Sequence, residues 1–144
     1  MSPARYLTDT FAVAPQISTE DLAGLKAEGF RTIVCNRPDE EVPGEMDAAA
    51  IEAACRDLEL GFLLNPLSHG SLSMDHVTRQ REAAGMDGPV LAYCASGNRS
   101  SILWGLAMAG ELPTDEIISR TTAAGYNLTG LVPQLEALAA ERTG

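Results

Sequence analysis

Two residues of this chain have the types and spacing to do covalent chemistry on an anion, Cys94 and Arg99. Four small or polar residues separate them, Ala95, Ser96, Gly97 and Asn98. A cysteine thiolate is a strong nucleophile, and an arginine offers a planar fork of donors that matches an oxyanion. Gly97 allows a sharp backbone turn. Ser100 follows Arg99 and can offer its hydroxyl to the sulfur. An ordinary structural cysteine at a strand end, followed by a plain turn, is the alternative.

The flanking residues decide between these readings. Val90–Tyr93 is a short apolar run of the kind a buried parallel strand needs. Arg99, Ser100 and Ser101 open a segment, Ile102–Ala109, that is apolar on nearly every face and is expected as a buried helix. Strand, tight loop and helix together form an anion-binding device. Loop N–H groups and the helix N-terminus converge on one spot, and both favour negative charge. The thiol is expected at that spot, where the same groups favour its ionised form.

The remaining elements follow from periodicity and punctuation. Arg5–Ser18 carries one or two short strands closed by Pro15. Ser18 or Thr19 is expected to cap a helix running to about Glu28, ended by Gly29. Phe30–Cys35 is a β-branched strand, and Asn36–Gly44 is an acidic, proline-containing loop. Met46–Leu58 has the three- and four-residue spacing of an amphipathic helix. Phe62–Leu67 is a strand with Pro66 near its end, and Ser68–Leu72 is a loop. Ser73 caps a helix over Met74–Ala84. Two more helices are expected over Thr114–Ala124 and Leu131–Ala140. This alternation implies an α/β fold with a mostly parallel central sheet flanked by helices. Ligands in such folds sit beyond the carboxyl ends of the strands. The Asn36, Ser68 and Cys94 loops therefore share one rim.

Length and composition set the bounds. The 144 residues are expected to form a single domain, 1–144. A formal net charge of −10 argues against nucleic acid or an anionic membrane as partner. No apolar run approaches the ~20 residues of a transmembrane helix, and a cytoplasmic location is the default expectation. Cys35, Cys55 and Cys94 form neither a disulfide framework nor a metal cluster. No metal and no cofactor are expected. Cys55 reads as core filler. Cys35 reads as a buried structural thiol, with a resolving-thiol role as the alternative.

The sequence Cys94-Ala-Ser-Gly-Asn-Arg99-Ser100 resembles the active loops of two superfamilies. Cysteine-dependent phosphatases place five residues between Cys and Arg, and rhodaneses place four after the Cys. Together with Phe11–Ser18 and Thr32–Asp39, the loop resembles a small bacterial family described as beta-lactamase-hydrolase-like or as a sulfur transferase, with a dual-specificity-phosphatase-like fold. The resemblance implies a cysteine-phosphatase-like architecture. In the rhodaneses the four-residue bowl fits the outer sulfur of a persulfide. The expected function is therefore a rhodanese-like sulfurtransferase, moving sulfur from thiosulfate or a small persulfide to a thiol or cyanide through a Cys94 persulfide. Cys94 and Arg99 would be catalytic. Ala95, Ser96, Gly97, Asn98, Ser100, His69 and Arg37 would line the substrate site. The partners implied are a small-molecule sulfur donor and a thiol acceptor, with a persulfide dioxygenase or a second copy of the chain left open. The alternatives are a phosphatase acting through phosphocysteine and a non-catalytic anion-binding domain.

Two residues near the rim have bland readings beside functional ones. Asp75 is the carboxylate nearest a phosphatase's general-acid position, but it also suits a helix first turn. Arg37 is expected either to contact substrate or to brace the rim with Asp39.

Overall fold

The computed structural model describes residues 2–143. Among these residues five strands form one sheet in the order β1-β2-β5-β3-β4. They are β1 (Arg5–Thr8), β2 (Phe11–Ala14), β3 (Thr32–Cys35), β4 (Gly61–Leu64) and β5 (Val90–Tyr93). The β1–β2 pair is antiparallel, and the other pairs are parallel. Every residue of β2, β3 and β5 is buried. That is why these strands read as unbroken apolar runs rather than alternating ones.

Among the described residues six α-helices cover the sheet: α1 (Asp21–Glu28), α2 (Ala48–Asp57), α3 (Met74–Ala84), α4 (Asn98–Met108), α5 (Thr114–Ala123) and α6 (Val132–Thr143). The two-residue period of the strands divides their side chains between two cores. Ala12, Ala14, Ile33, Leu91 and Tyr93 face α1 and α2, packing on Leu22, Leu25 and Ile51. Phe11, Val13, Val34, Val90 and Ala92 face the other helices, with Val77, Leu103, Trp104, Ile117 and Leu135. The expected α/β class, a mostly parallel sheet flanked by helices, is the observed one.

Several boundaries differ from expectation, each for a local reason. The helix expected from residue 46 starts at Ala48 because the Asp47 carboxylate accepts the Ala50 N–H at 2.9 Å and caps it. Residues 44–46 form a single 3-10 turn instead. Neither Ser18 nor Thr19 caps α1. The Asp21 side chain reaches back and accepts the Ser18 N–H at 2.8 Å. The strand expected over 62–67 covers Gly61–Leu64, so Pro66 lies beyond it. The buried helix expected from Ile102 begins at Asn98, which brings Arg99 and Ser100 into its first turn. No helix among the described residues is long and apolar enough to cross a membrane.

Candidate active site

Cys94 follows the last residue of β5, at the carboxyl edge of the sheet. Its own N–H donates to the Ala14 carbonyl at 3.3 Å, and the Ala95 carbonyl accepts from Gln16 N at 3.4 Å, so β2 anchors the loop's start. Gly97 then turns with φ +96° and serves as the N-cap of α4. The turn folds the Gly97 N–H back onto Cys94 Sγ at 3.1 Å. The sulfur thus faces the helix N-terminus, where an amide and the helix dipole favour negative charge. Cys94 has no exposed surface, while Ala95, Ser96 and Asn98 above it are exposed.

Arg99 lies almost buried in the first turn of α4. Its Nη1 donates to Glu41 Oε2 at 2.9 Å and to the Leu67 carbonyl at 2.7 Å, and its Nη2 donates to Glu41 Oε1 at 2.7 Å. Glu41 also accepts from Arg37 Nε at 3.2 Å. The hydrogen bond from Arg99, with a further one from Arg37, holds the Glu41 carboxyl below the usual carboxylate range despite opposing desolvation. Glu41 therefore stands as a carboxylate clamped between two guanidinium groups. The same Glu41 bond raises the pKa of Arg99, and the nearby Cys94 sulfur adds in the same direction.

A buried polar network ties this rim together. Ser100 Oγ donates to Asn36 Oδ1 at 2.8 Å, and Gln80 Nε2 donates to the same oxygen at 2.9 Å. Asn36 Nδ2 reaches the Asn65 carbonyl and Gln80 Oε1, each at 2.9 Å. Asn65 Nδ2 donates to Gln80 Oε1 and to the His76 carbonyl. The ends of β3 and β4, helix α3 and the first turn of α4 are thereby locked in one register. Buried amides satisfied this fully rigidify a site. The hydroxyl of Ser100 is committed to this network and not to Cys94, which corrects the expectation that it serves the sulfur.

Tyr126, in the connection after α5, braces the loop from its outer side. Its hydroxyl donates to the Ser96 carbonyl at 2.9 Å and accepts from Arg5 Nη1 at 3.3 Å. A Cβ at Gly97 would collide with the Tyr126 hydroxyl. A Gly97→Ala change therefore meets both a left-handed backbone and an occupied space. The expected loss is about 2–3 kcal/mol of stability, read by urea denaturation. A loss within ~0.5 kcal/mol, the usual range for changes that touch nothing important, would show that Tyr126 gives way freely.

The other residues singled out from the sequence are placed as follows. Arg37 braces the rim through Glu41 and Gln16 rather than through Asp39, whose carboxylate caps Ala48 N at 2.9 Å. His69 is exposed on the loop between β4 and α3. Asp75 lies exposed in the first turn of α3, where an acid suits the helix dipole. The Cys35 thiol donates to the Arg37 carbonyl at 3.3 Å, and burial pushes its pKa up. Burial likewise pushes Cys55 up to about 12. Both are poor nucleophiles as placed. Among the described residues no cluster of three or more His, Cys, Asp or Glu side chains could hold a metal.

Glu41, Tyr126, Arg5, Asn65 and Gln80 were not legible as site residues. Gln80 carried one signal, a polar side chain in helical register with Val77 and Ala83 on an otherwise apolar face. Glu41 is one of three consecutive acids, and nothing in sequence separates it from Asp39 and Glu40.

A parallel sheet ending in a cysteine, a glycine turn and an arginine in the next helix's first turn defines a domain of cysteine-phosphatase architecture. The chain belongs to the family described as Beta-lactamase hydrolase-like protein, phosphatase-like domain, whose pattern matches residues 3–111. A Beta-lactamase hydrolase-like protein from Xylella fastidiosa is 30% identical over 133 residues, covering 90% of this chain and 31% of that protein. The chain thus spans about a third of the length of the curated relatives it matches. A crystal structure of a candidate phosphatase from Neisseria meningitidis Z2491 superposes with a TM-score of 0.80 at 35% identity, covering 96% of this chain and 99% of that one. The catalytic core of the PP-IP phosphatase Siw14 from S. cerevisiae shares the fold, with a TM-score of 0.69 at 15% identity over 99% and 95% of the two chains.

These relatives correct the expectation of a rhodanese-like sulfurtransferase, since family and neighbours alike are of phosphatase type. The number of residues between Cys94 and Arg99 does not by itself set the size of the bowl. The bowl is shaped instead by the left-handed Gly97 and by α4 starting at Asn98.

Proposed function

We propose that this domain is a cysteine-dependent phosphatase acting on phosphomonoesters through phosphocysteine. One observation carries the reading: Cys94 Sγ accepts the Gly97 N–H at the start of α4, with Arg99 in the same helical turn. In the first step the Sγ–P bond forms as the bond from phosphorus to the leaving oxygen breaks. Water then attacks the phosphocysteine, releasing orthophosphate and restoring the thiolate. Loop N–H groups and Arg99 would hold the phosphoryl oxygens as charge develops on them. Residues 95–98 must lift for a substrate to reach the buried sulfur, which would break the Gly97 N–H bond to Cys94 Sγ and the Tyr126 bond to the Ser96 carbonyl.

The leaving oxygen needs a proton. The loop from 65 to 73 contains no Asp or Glu. Glu41, held ionised by its two arginines, is no donor. The leaving group then takes its proton from solvent, and good leaving groups are favoured. A positioned general acid contributes about 10²–10⁴-fold. Turnover of p-nitrophenyl phosphate is therefore expected to exceed that of an alkyl ester such as phosphoserine by at least about a hundredfold. Equal rates would reveal a proton donor other than Glu41 and outside the 65–73 loop. No hydrolysis of either ester would remove the phosphatase reading.

A further inference from the structure

The rim holds a cavity, beside Arg37, of about 290 Å³. Its walls include Arg37, Asp39, Glu40, Leu64 and Pro66. Its lining residues lie at or follow the carboxyl ends of β3 and β4, the sheet edge that also carries the Cys94 loop. It is joined to Arg99 through Glu41, which bonds both arginines. Leu67, whose carbonyl accepts from Arg99, follows the wall residue Pro66 directly.

The charge of this cavity differs from that of a phosphate site. Its one cation, Arg37, is already paired with Glu41 at 3.2 Å. Asp39 and Glu40, both exposed, contribute carboxylates that accept from Ala48 N and Ser68 Oγ. Leu64, 45% exposed, supplies an apolar wall. Arg79, a neighbouring cation, donates to the Leu64 carbonyl at 3.2 Å and lines a different hollow together with Asp75. The chain's single lysine, Lys26, donates to the Leu58 carbonyl. A second phosphate here would meet the Asp39 and Glu40 carboxylates, an arginine already paired with Glu41, and Ser68, whose Oγ donates to Glu40 Oε1 at 3.4 Å.

We propose that this cavity is the leaving-group subsite and that it admits an uncharged or cationic group with an apolar edge. The substrate is then a monoester with one phosphate, and polyphosphorylated compounds are rejected. The proposal rests on the phosphatase reading for its role in turnover, but the binding order it demands can be measured without turnover.

The test is calorimetric titration of the whole chain at low salt with orthophosphate, phenyl phosphate, phosphocholine and inorganic tripolyphosphate. Phenyl phosphate and phosphocholine should bind at least as tightly as orthophosphate, and tripolyphosphate about tenfold more weakly. Glu40→Lys should tighten tripolyphosphate by about tenfold relative to phenyl phosphate. Tripolyphosphate binding more tightly than orthophosphate to the unaltered chain would overturn the proposal. So would a Glu40→Lys chain, folded by circular dichroism, with an unchanged ratio. A separate p-nitrophenyl phosphate assay keeps the two ideas apart. The expected binding order without hydrolysis would leave the subsite and remove the phosphatase. Hydrolysis with the reversed order would do the opposite.

Discussion

The Cys94→Ser variant is expected to lose p-nitrophenyl phosphate turnover by at least about a thousandfold. A serine hydroxyl is a far weaker nucleophile at neutral pH, and among the described residues no His or carboxylate hydrogen-bonds to position 94 to activate it. The fold should survive. Cys94 Sγ accepts the Gly97 N–H at 3.1 Å, and a serine oxygen can accept the same bond. Stability should stay within ~1 kcal/mol of the parent chain, since shape and acceptor are both retained. Steady-state assays with thermal unfolding on the same sample read both outcomes. A well-folded variant keeping a tenth of the parent's rate would mean that Cys94 is not the nucleophile. Because the sulfur has no exposed surface, the same experiment also tests whether the loop opens in solution.

The site was legible where chemistry is written locally and hidden where it is assembled at long range. Strand β5, Cys94, Gly97 and Arg99 lie within ten residues of one another, so a single stretch revealed the nucleophile, the turn and the cation. The sheet was legible because three fully buried strands leave continuous apolar runs. Glu41 meets Arg99 across 58 positions, and Tyr126 meets Ser96 across 30. No periodicity encodes such meetings. They depend on β3 lying next to β5 in the sheet and on the path of the chain after α5. Helix starts were misplaced wherever an aspartate, as at positions 21 and 47, capped or bridged the turn in place of the expected residue. The number of loop residues does not identify the substrate, because the loop is not a ring of fixed shape. Its shape is set by a left-handed glycine and by Tyr126 pressing on it from outside.

Replacing Arg99 with lysine should lower kcat/KM toward p-nitrophenyl phosphate by about 10²–10³-fold, the effect of losing a preorganised oxyanion donor. Lysine keeps the charge but not the fork. Arg99 uses its two Nη atoms on Glu41 and Leu67 O, an arrangement that fixes the guanidinium plane and leaves its remaining edge for the substrate. A lysine ammonium reaching Glu41 would have no second edge to present. Glu41 supplies the check that separates this positioning from simple charge. Its folded carboxyl titrates below the unfolded value, so the clamp's stabilisation is complete above the ordinary carboxyl pKa of about 4.3. That stabilisation is lost as pH falls through the lower folded value. Thermal stability of the parent chain should therefore decline below about pH 4.3. Arg99→Met should flatten that decline, since the hydrogen bond that contributes most to the depression is gone. Glu41→Gln should flatten it too, and should lower kcat by more than it raises KM if the carboxylate's task is to aim Arg99. A Glu41→Gln chain with undiminished kcat and tighter substrate binding would instead make Glu41 an occupant of the anion's place, competing with the substrate for Arg99.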